Sequence, residues 1–563
     1  MKLNKIWGYG QLFGYSAIEG KNRYQDDHIL MTMKEDLCFR YEFKEHYIRL
    51  NFITGKSKVT YETIMSDFVI AKINQERFIL TFADNDTLVG QTSILPTFVG
   101  EISLKEIHTK GCTILNLDNH YLSYIYQKRG NGYRFVIHHS LSLSEAKKDY
   151  KRYLKINLDS LIKHYQDYYQ KMPKCKDKKY ETLYYKCLSV NKVNTHTKEG
   201  NIKRFWTTPN RVPHRHMWLW DSGFHALMMS RFNMKLAEES LLAMLEQIKP
   251  NGLLPHMVSP KNKSNITQPC VLSWIGYELY KKSHHKDFLK KIVNYLDKYL
   301  TYDLKNRDFH HNGLLSWKTN PDKPNCKCDE SGLDNCARFD FDEEMDCVDF
   351  SSYLAMDANY LSKIYHALGN KKKEKYWANI SKRTTKLINS LMYDKRDHTF
   401  YDRLISGKLT KVLDPTSFLP LCFSLVSQKR ADEMVKVLFN KKLLYTPFPF
   451  ASISQKDPRF SNDMWRGGTW LHLNYMIIRG LKQYGYIKLA KQVRDLNLKM
   501  VNKWFLKYGC IFEFFDSLDK VSPFKCARKG KPLKEPDYRK KMHAITDFHW
   551  SAVFTYLLIQ NDY

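Results

Sequence analysis

The chain has 563 residues, with 90 Lys+Arg against 59 Asp+Glu and a net charge of +31. Its 43% hydrophobic and 14% aromatic residues are the composition of a packed globular protein and exclude a disordered chain. No run of about 18 uncharged apolar residues occurs, so no membrane helix is expected, and the N-terminal stretch lacks the apolar core of a secretory signal. The 12 irregularly spaced cysteines are then expected as reduced thiols of a cytoplasmic protein. Lysine is spread along the whole chain. It is densest at Lys147–Arg152, Lys174–Lys179 and Arg528–Lys541, without a helix-turn-helix, zinc-finger or RNA-binding motif beside it. A solvated basic surface explains that pattern, so neither nucleic acid nor membrane is an expected partner.

Residues 1 to about 150 read as short strands. Leu37–Phe43, Tyr47–Phe52, Phe68–Ile73 and Phe78–Phe82 are aromatic or β-branched and mostly alternating, with turns at Thr54–Lys56, Ala83–Thr87 and Lys128–Gly132. They predict an antiparallel β-sandwich domain over 1–150. Nothing in it has a catalytic pattern, although aromatics of the first forty residues are placed to reach over a neighbouring site. From Leu158–Met172 onward the period becomes 3.6. Helices are expected near 180–195, 222–232, 234–248, 268–283, 286–302, 349–368, 371–392, 416–427, 429–440, 469–484, 487–506 and 549–560. Paired helices with short connectors predict a mainly α chain whose second domain, 151–563, is an (α/α)6 toroid.

The chemically informative residues fall in the connectors. His214–His225 (HRHMWLWDSGFH) sets Trp218, Trp220 and Asp221 before an apolar helix. Asp221 reads equally as a helix cap, but the flanking Trp and His residues suit a sugar site: a flat apolar face beside a hydrogen-bond acceptor. Glu330–Asp340 (ESGLDNCARFD) contains Glu330, Asp334 and Arg338; the following Glu343 and Glu344 read as a solvated acidic loop. In Asn462–Trp470 (NDMWRGGTW), Trp465 and Trp470 flank Arg466 and two glycines that permit tight turns. Glu513 lies in IFEFFDS, an apolar setting that suits acid–base work, and His549 lies in the later DFHWS. Cys326, Cys328, Cys336 and Cys347 surround the second motif, but their spacing is not that of a zinc finger, so no metal is expected. No P-loop, GxGxxG or HExxH occurs, and no cofactor is expected. Loops gathered at one end of a helical toroid predict one site lined by aromatics and carboxylates.

WLWDSGFHA, TQP, ESGLDNCARFD, WRGGTWLHLNY, EFFDS and FHWSA, in this order across residues 200–563, resemble the motif set of inverting (α/α)6-barrel glycoside hydrolases. The match is with family 63, which includes processing α-glucosidases and mannosylglycerate hydrolases; family 37 trehalases share a similar ESG-x-D element. The resemblance implies Asp334 as general acid and Glu513 as general base. It implies Trp220 and Asp221 holding the sugar, with Gln268, Trp465 and Trp470 lining the same subsite. Trp218, Glu330, Arg338, Arg466 and His549 are the further candidate substrate contacts. This chain departs from the family pattern at Gly468, where Pro is usual, at Asp329, where Trp often precedes ESG, and in a long basic stretch after Glu513. It shows no counterpart of the residues that grip glycerate. The implied activity is inverting, exo-acting cleavage of small α-glucosides or α-mannosides, without cofactor. The carboxyls would stand ~6.5–9.5 Å apart to admit the attacking water. A trehalase-like hydrolase and a non-catalytic carbohydrate-binding barrel are the alternatives.

Overall fold

The computed structural model describes residues 11–24, 29–32, 37–43, 46–55, 57–109, 111–341, 343–530 and 543–563. Parts of the first forty residues and most of the basic 528–541 segment lie outside them. The described residues form two compact units, one reaching Glu199 and including 502–511, the other comprising Gly200–Val501 and the chain from Phe512.

Alternating apolar residues make the first unit a pair of antiparallel sheets. One orders strands Leu12–Phe13, Ile29–Thr32, Cys38–Glu42, Tyr47–Asn51 and Thr97–Gly100. The other has eight strands, running from Lys105–Thr109 through His120–Arg129, Gly132–Ser140 and Phe68–Ile73 to Val59–Ile64. Alternate residues of Tyr47–Asn51 are buried, as a one-faced strand requires. Phe52, just beyond that strand, meets Phe78 and Phe135 of the second sheet at 5.0 and 5.4 Å between ring centroids. The unit ends near 199 rather than at the change of hydrophobic period near 150. The reason is tertiary: helix Glu181–Val193 is anchored on the sheet residues. Ser66 donates its backbone N–H to the Ser189 hydroxyl oxygen and its own hydroxyl to the Ser189 carbonyl, and the buried Lys192 ammonium sits 2.5 Å from both Glu19 and Asp67.

In the second unit every predicted helix has a counterpart. Leu219–Met229, Leu272–Ser283, Val348–Ala367, Leu419–Cys422, Leu471–Gln483 and His549–Ile559 each pack on the next, and the last packs on the first, closing a ring of six. Five of them are followed after a few residues by a further helix: Met234–Leu245, Lys286–Asn306, Lys371–Leu391, Gln428–Leu438 and Ile487–Tyr508. Inner and outer helices differ in sequence as the ring demands. Every residue of His549–Ile559 is buried, whereas Lys371–Leu391 buries only Trp377, Thr384 and Ile388. Asn233, Asn370 and Ser427 cap outer helices through their side chains. The helix expected over 416–427 is shorter: a 3-10 turn, Pro415–Phe418, continues into Leu419–Cys422, and Ser424, with φ of 60°, takes the chain out of the helix.

Candidate functional site

The long connectors lead into the N-termini of the inner helices, and their residues meet in one cavity of about 50 Å³. Trp218, Trp220 and Asp221 reach it from the start of Leu219–Met229, Gln268 from the connector before Leu272–Ser283, and Asp334 from the loop before Val348–Ala367. Trp470 precedes Leu471–Gln483, while Glu513, Arg528, Phe548 and Trp550 come from the stretch that ends at His549–Ile559. The two candidate carboxylates, far apart in the chain, thus line one space. Larger surface cavities of about 550 and 870 Å³ contain neither of them.

Backbone pairing brings the loops together. Met217–Trp218 pairs with Met257–Val258, and Gly468–Thr469 pairs with Phe515–Asp516, which ties the NDMWRGGTW loop to the Glu513 loop. A Cβ on Gly468 would lie 2.5 Å from the Met464 carbonyl oxygen, so the small residue found in place of the family's proline is built into the turn. Trp465 and Trp470 stack face to face at 3.7 Å, and Trp220 meets Trp550 edge-on at 5.4 Å. Gly332, at φ 71°, lets the ESGLD loop lie against Trp220; an added Cβ would fall 2.4 Å from the indole. Gly332→Ala is expected to push Trp220 out of place, costing about 1–3 kcal/mol of stability and at least half of the turnover. Thermal unfolding beside a rate assay checks this; unchanged values in both would show that the indole has room to move.

Among the described residues, the buried lining groups without a hydrogen-bond partner include Oε1 of Gln268 and Nε1 of Trp218. One is an acceptor and the other a donor, the pair a sugar hydroxyl uses. Glu513 is buried, and its oxygens accept from Arg528 Nε and NH2 at 2.8 and 3.1 Å. Asp334 is more open, with Lys529 Nζ 2.5 Å from its Oδ2. Asp221 does not cap a helix with its side chain: the helix begins after Trp218 and Asp221 lies within its first turn. Burial, and then the neighbouring Glu513 charge, push the Asp221 carboxyl up to about 8, so it is protonated at neutral pH and can donate as well as accept.

That shift has a consequence for stability. A carboxyl with a raised folded pKa favours the fold most below its unfolded value near 4, and the contribution is lost as pH rises toward 8. Asp221→Asn removes the titration. Its stability relative to wild type is therefore expected to climb between about pH 4 and 8 while activity falls. Melting temperatures of both proteins across that range decide the matter, and a constant difference would refute it.

Five of the residues expected to touch substrate do not line the cavity. Glu330 is buried in a pair with Arg307 at 2.5 Å and accepts from the Lys318 and Thr267 backbone N–H groups at 2.9 and 3.3 Å, which joins the ESG turn to the TQP segment of Gln268. Arg338 is enclosed by Asp349, Asp402 and Asp414 and secures the loop of Asp334 to helix Val348–Ala367. Arg466 pairs with Asp340 at 2.7 Å. Trp465 lies behind Trp470, and its backbone N–H donates to Asn335 Oδ1 at 3.0 Å. His549 stacks on His225 at 3.6 Å with Nδ1 3.1 Å from the Thr208 carbonyl, and burial lowers its pKa to about 3. These residues hold loops rather than line the space.

The four cysteines near the ESGLD loop do not converge. Cys328, Cys336 and Cys347 face the Lys318 carbonyl, Asp414 and the Met345 carbonyl respectively. Ligand atoms that could hold a metal do cluster at Cys326, Asp329 and Asp334 and at Cys347, Asp349 and Asp402. A cationic side chain already lies in each cluster, Lys529 in the first and Arg338 in the second. Arg528 and Lys529 carry no individual signal in the sequence beyond the basic stretch after Glu513.

A mannosylglycerate hydrolase of Thermus thermophilus is 22% identical over 379 residues, covering 54% of this chain and 91% of that protein. A Borreliella burgdorferi protein is 26% identical over 239 residues, 41% of this chain, and the match spans only 46% of that protein. In fold, a bacterial glucoamylase complexed with acarbose superposes with a TM-score of 0.62 at 12% identity, over 99% of this chain and 95% of its own. The family model for the mannosylglycerate hydrolase MGH1-like glycoside hydrolase domain matches residues 214–520. That stretch is more than half of the chain and holds both Asp334 and Glu513, and on it the chain belongs to the MGH1-like glycoside hydrolase family.

Proposed function

We propose that the protein is an inverting, exo-acting glycoside hydrolase for small α-mannosides or α-glucosides, built on an (α/α)6 barrel with a β-sandwich before it. In this reading Asp334, protonated, gives its proton to the glycosidic oxygen, and Glu513, ionised, takes a proton from the attacking water on the opposite face of the sugar. Trp218, Trp220, Trp470 and Trp550 exclude water, while Asp221 and Gln268 hydrogen-bond ring hydroxyls. The observation that carries the reading is the convergence of Asp334 and Glu513 on one aromatic cavity with unpartnered Gln268 and Trp218 groups. The family description makes mannosylglycerate the first substrate to try. Proton NMR of the enzyme with mannosylglycerate, glucosylglycerate, α-glucosides and trehalose tests it. First release of the β-anomer from an α-linked substrate is the expected result; first release of the α-anomer would replace the acid–base pair by a retaining mechanism.

A further inference from the structure

The stretch after Glu513 brings two adjacent cations to the carboxylates, and both lie beyond the residues shared with the family, 214–520. Arg528 grips both Glu513 oxygens, at 2.8 and 3.1 Å, and both side chains are 3% exposed. Its NH2 lies 3.3 Å from Nε2 of His214, while NH1, buried, meets no hydrogen-bond partner among the described residues. One residue later, Lys529 Nζ stands 2.5 Å from Asp334 and 2.9 Å from Sγ of Cys326. Neighbouring side chains of an extended chain point to opposite faces. Here Lys529 adopts φ 57°, and this left-handed turn accompanies the reach of consecutive side chains to both carboxylates.

The turn is held from the other loops. The Asp463 carboxylate accepts the Lys529 and Gly530 N–H groups at 2.8 and 3.3 Å and the Asn335 side-chain N–H at 3.1 Å. Asn335 is the neighbour of Asp334, and Asp463 begins the turn into Trp465, so one carboxylate links three segments of the site. A bidentate guanidinium fixes a carboxylate in its own plane, which a single ammonium does not do.

We infer that Arg528 is a positioning residue for Glu513: it sets the plane of the base before substrate arrives. This rests on the assignment of Glu513 as base in the proposed function. The test uses α-mannosyl and α-glucosyl fluoride, whose fluoride departs without a proton, so that the rate reports water activation rather than the acid. Fluoride release is followed for wild type, Arg528→Ala, Arg528→Lys and Glu513→Gln. Arg528→Ala is expected to lower kcat on the order of 100-fold and to regain activity when guanidinium is added. Arg528→Lys, which keeps the charge but not the fork, stays at least about tenfold below wild type. Wild-type kcat in Arg528→Lys, or no response of Arg528→Ala to guanidinium, overturns the inference. If Arg528→Ala does not fold, Arg528→Lys decides alone. Wild-type rates in Glu513→Gln would instead remove the base assignment itself.

Discussion

With Glu513 as the proposed base, Glu513→Gln is expected to lower turnover about 1,000-fold or more on every glycoside accepted, including glycosyl fluorides. The amide keeps the shape of the side chain but has no lone pair basic enough to take the proton from water, and general-base assistance contributes roughly 10²–10⁴-fold. The substitution has a second effect of comparable size. Arg528 is buried with Glu513 as its ionic partner, at 2.8 Å. Removing one member of a buried pair costs about 3–5 kcal/mol, because the remaining charge is left without compensation. Glu513→Gln therefore melts well below wild type, and its rate has to be measured far under its own melting temperature. A variant that is destabilised yet turns over normally would separate the two effects and remove Glu513 from the chemistry.

With Asp334 as the proposed acid, Asp334→Asn is expected to show a different signature. Glycosides with poor leaving groups lose roughly 10²–10⁴-fold in kcat, because the amide cannot protonate the departing oxygen. Glycosyl fluorides, which need no proton, keep most of their rate. The stability change is small. The Asp334 and Lys529 side chains are 19% and 24% exposed, and the lysine freed by the substitution can turn to water. The comparison of ordinary glycosides with fluorides across the two variants is the decisive one. Equal losses on both substrates in Asp334→Asn would mean that the residue binds sugar rather than supplying a proton.

Much of the site was legible in the sequence because its signals are local. A tryptophan pair before Asp221 and the double glycine at 467 and 468 each lie within a few residues of the helix or turn they serve. The structure uses them so: Gly467, at φ 143°, has no room for a Cβ, which would fall 2.0 Å from the Ser461 carbonyl oxygen. Direction was not legible. Glu330, Arg338 and Arg466 look in sequence like ligands of a sugar, yet their partners are Arg307, Asp349 with Asp402, and Asp340. Charged groups within a motif satisfy one another when the loop folds, and the pairing depends on segments the motif does not contain. Trp465 and Trp470 show the same limit, since only one indole of a stacked pair can face the cavity.

The kinds of element, the order of the helices and the residue types of the candidate site can be read from local sequence. Hydrophobic period, caps and turn residues act over a single helical turn or strand pair, so they can be read along the chain. Tertiary structure alone decided where the first unit ends, because helix Glu181–Val193 joins the sheets through Ser189 and the buried Lys192. It also decided that Asp221 is protonated, which takes burial and the charge of a residue almost three hundred positions away. Finally, it placed Arg528 and Lys529, which in sequence are only part of a basic stretch after Glu513, against Glu513 and Asp334. Burial and long-range charge are properties of the assembled molecule, and no local window of the chain contains them.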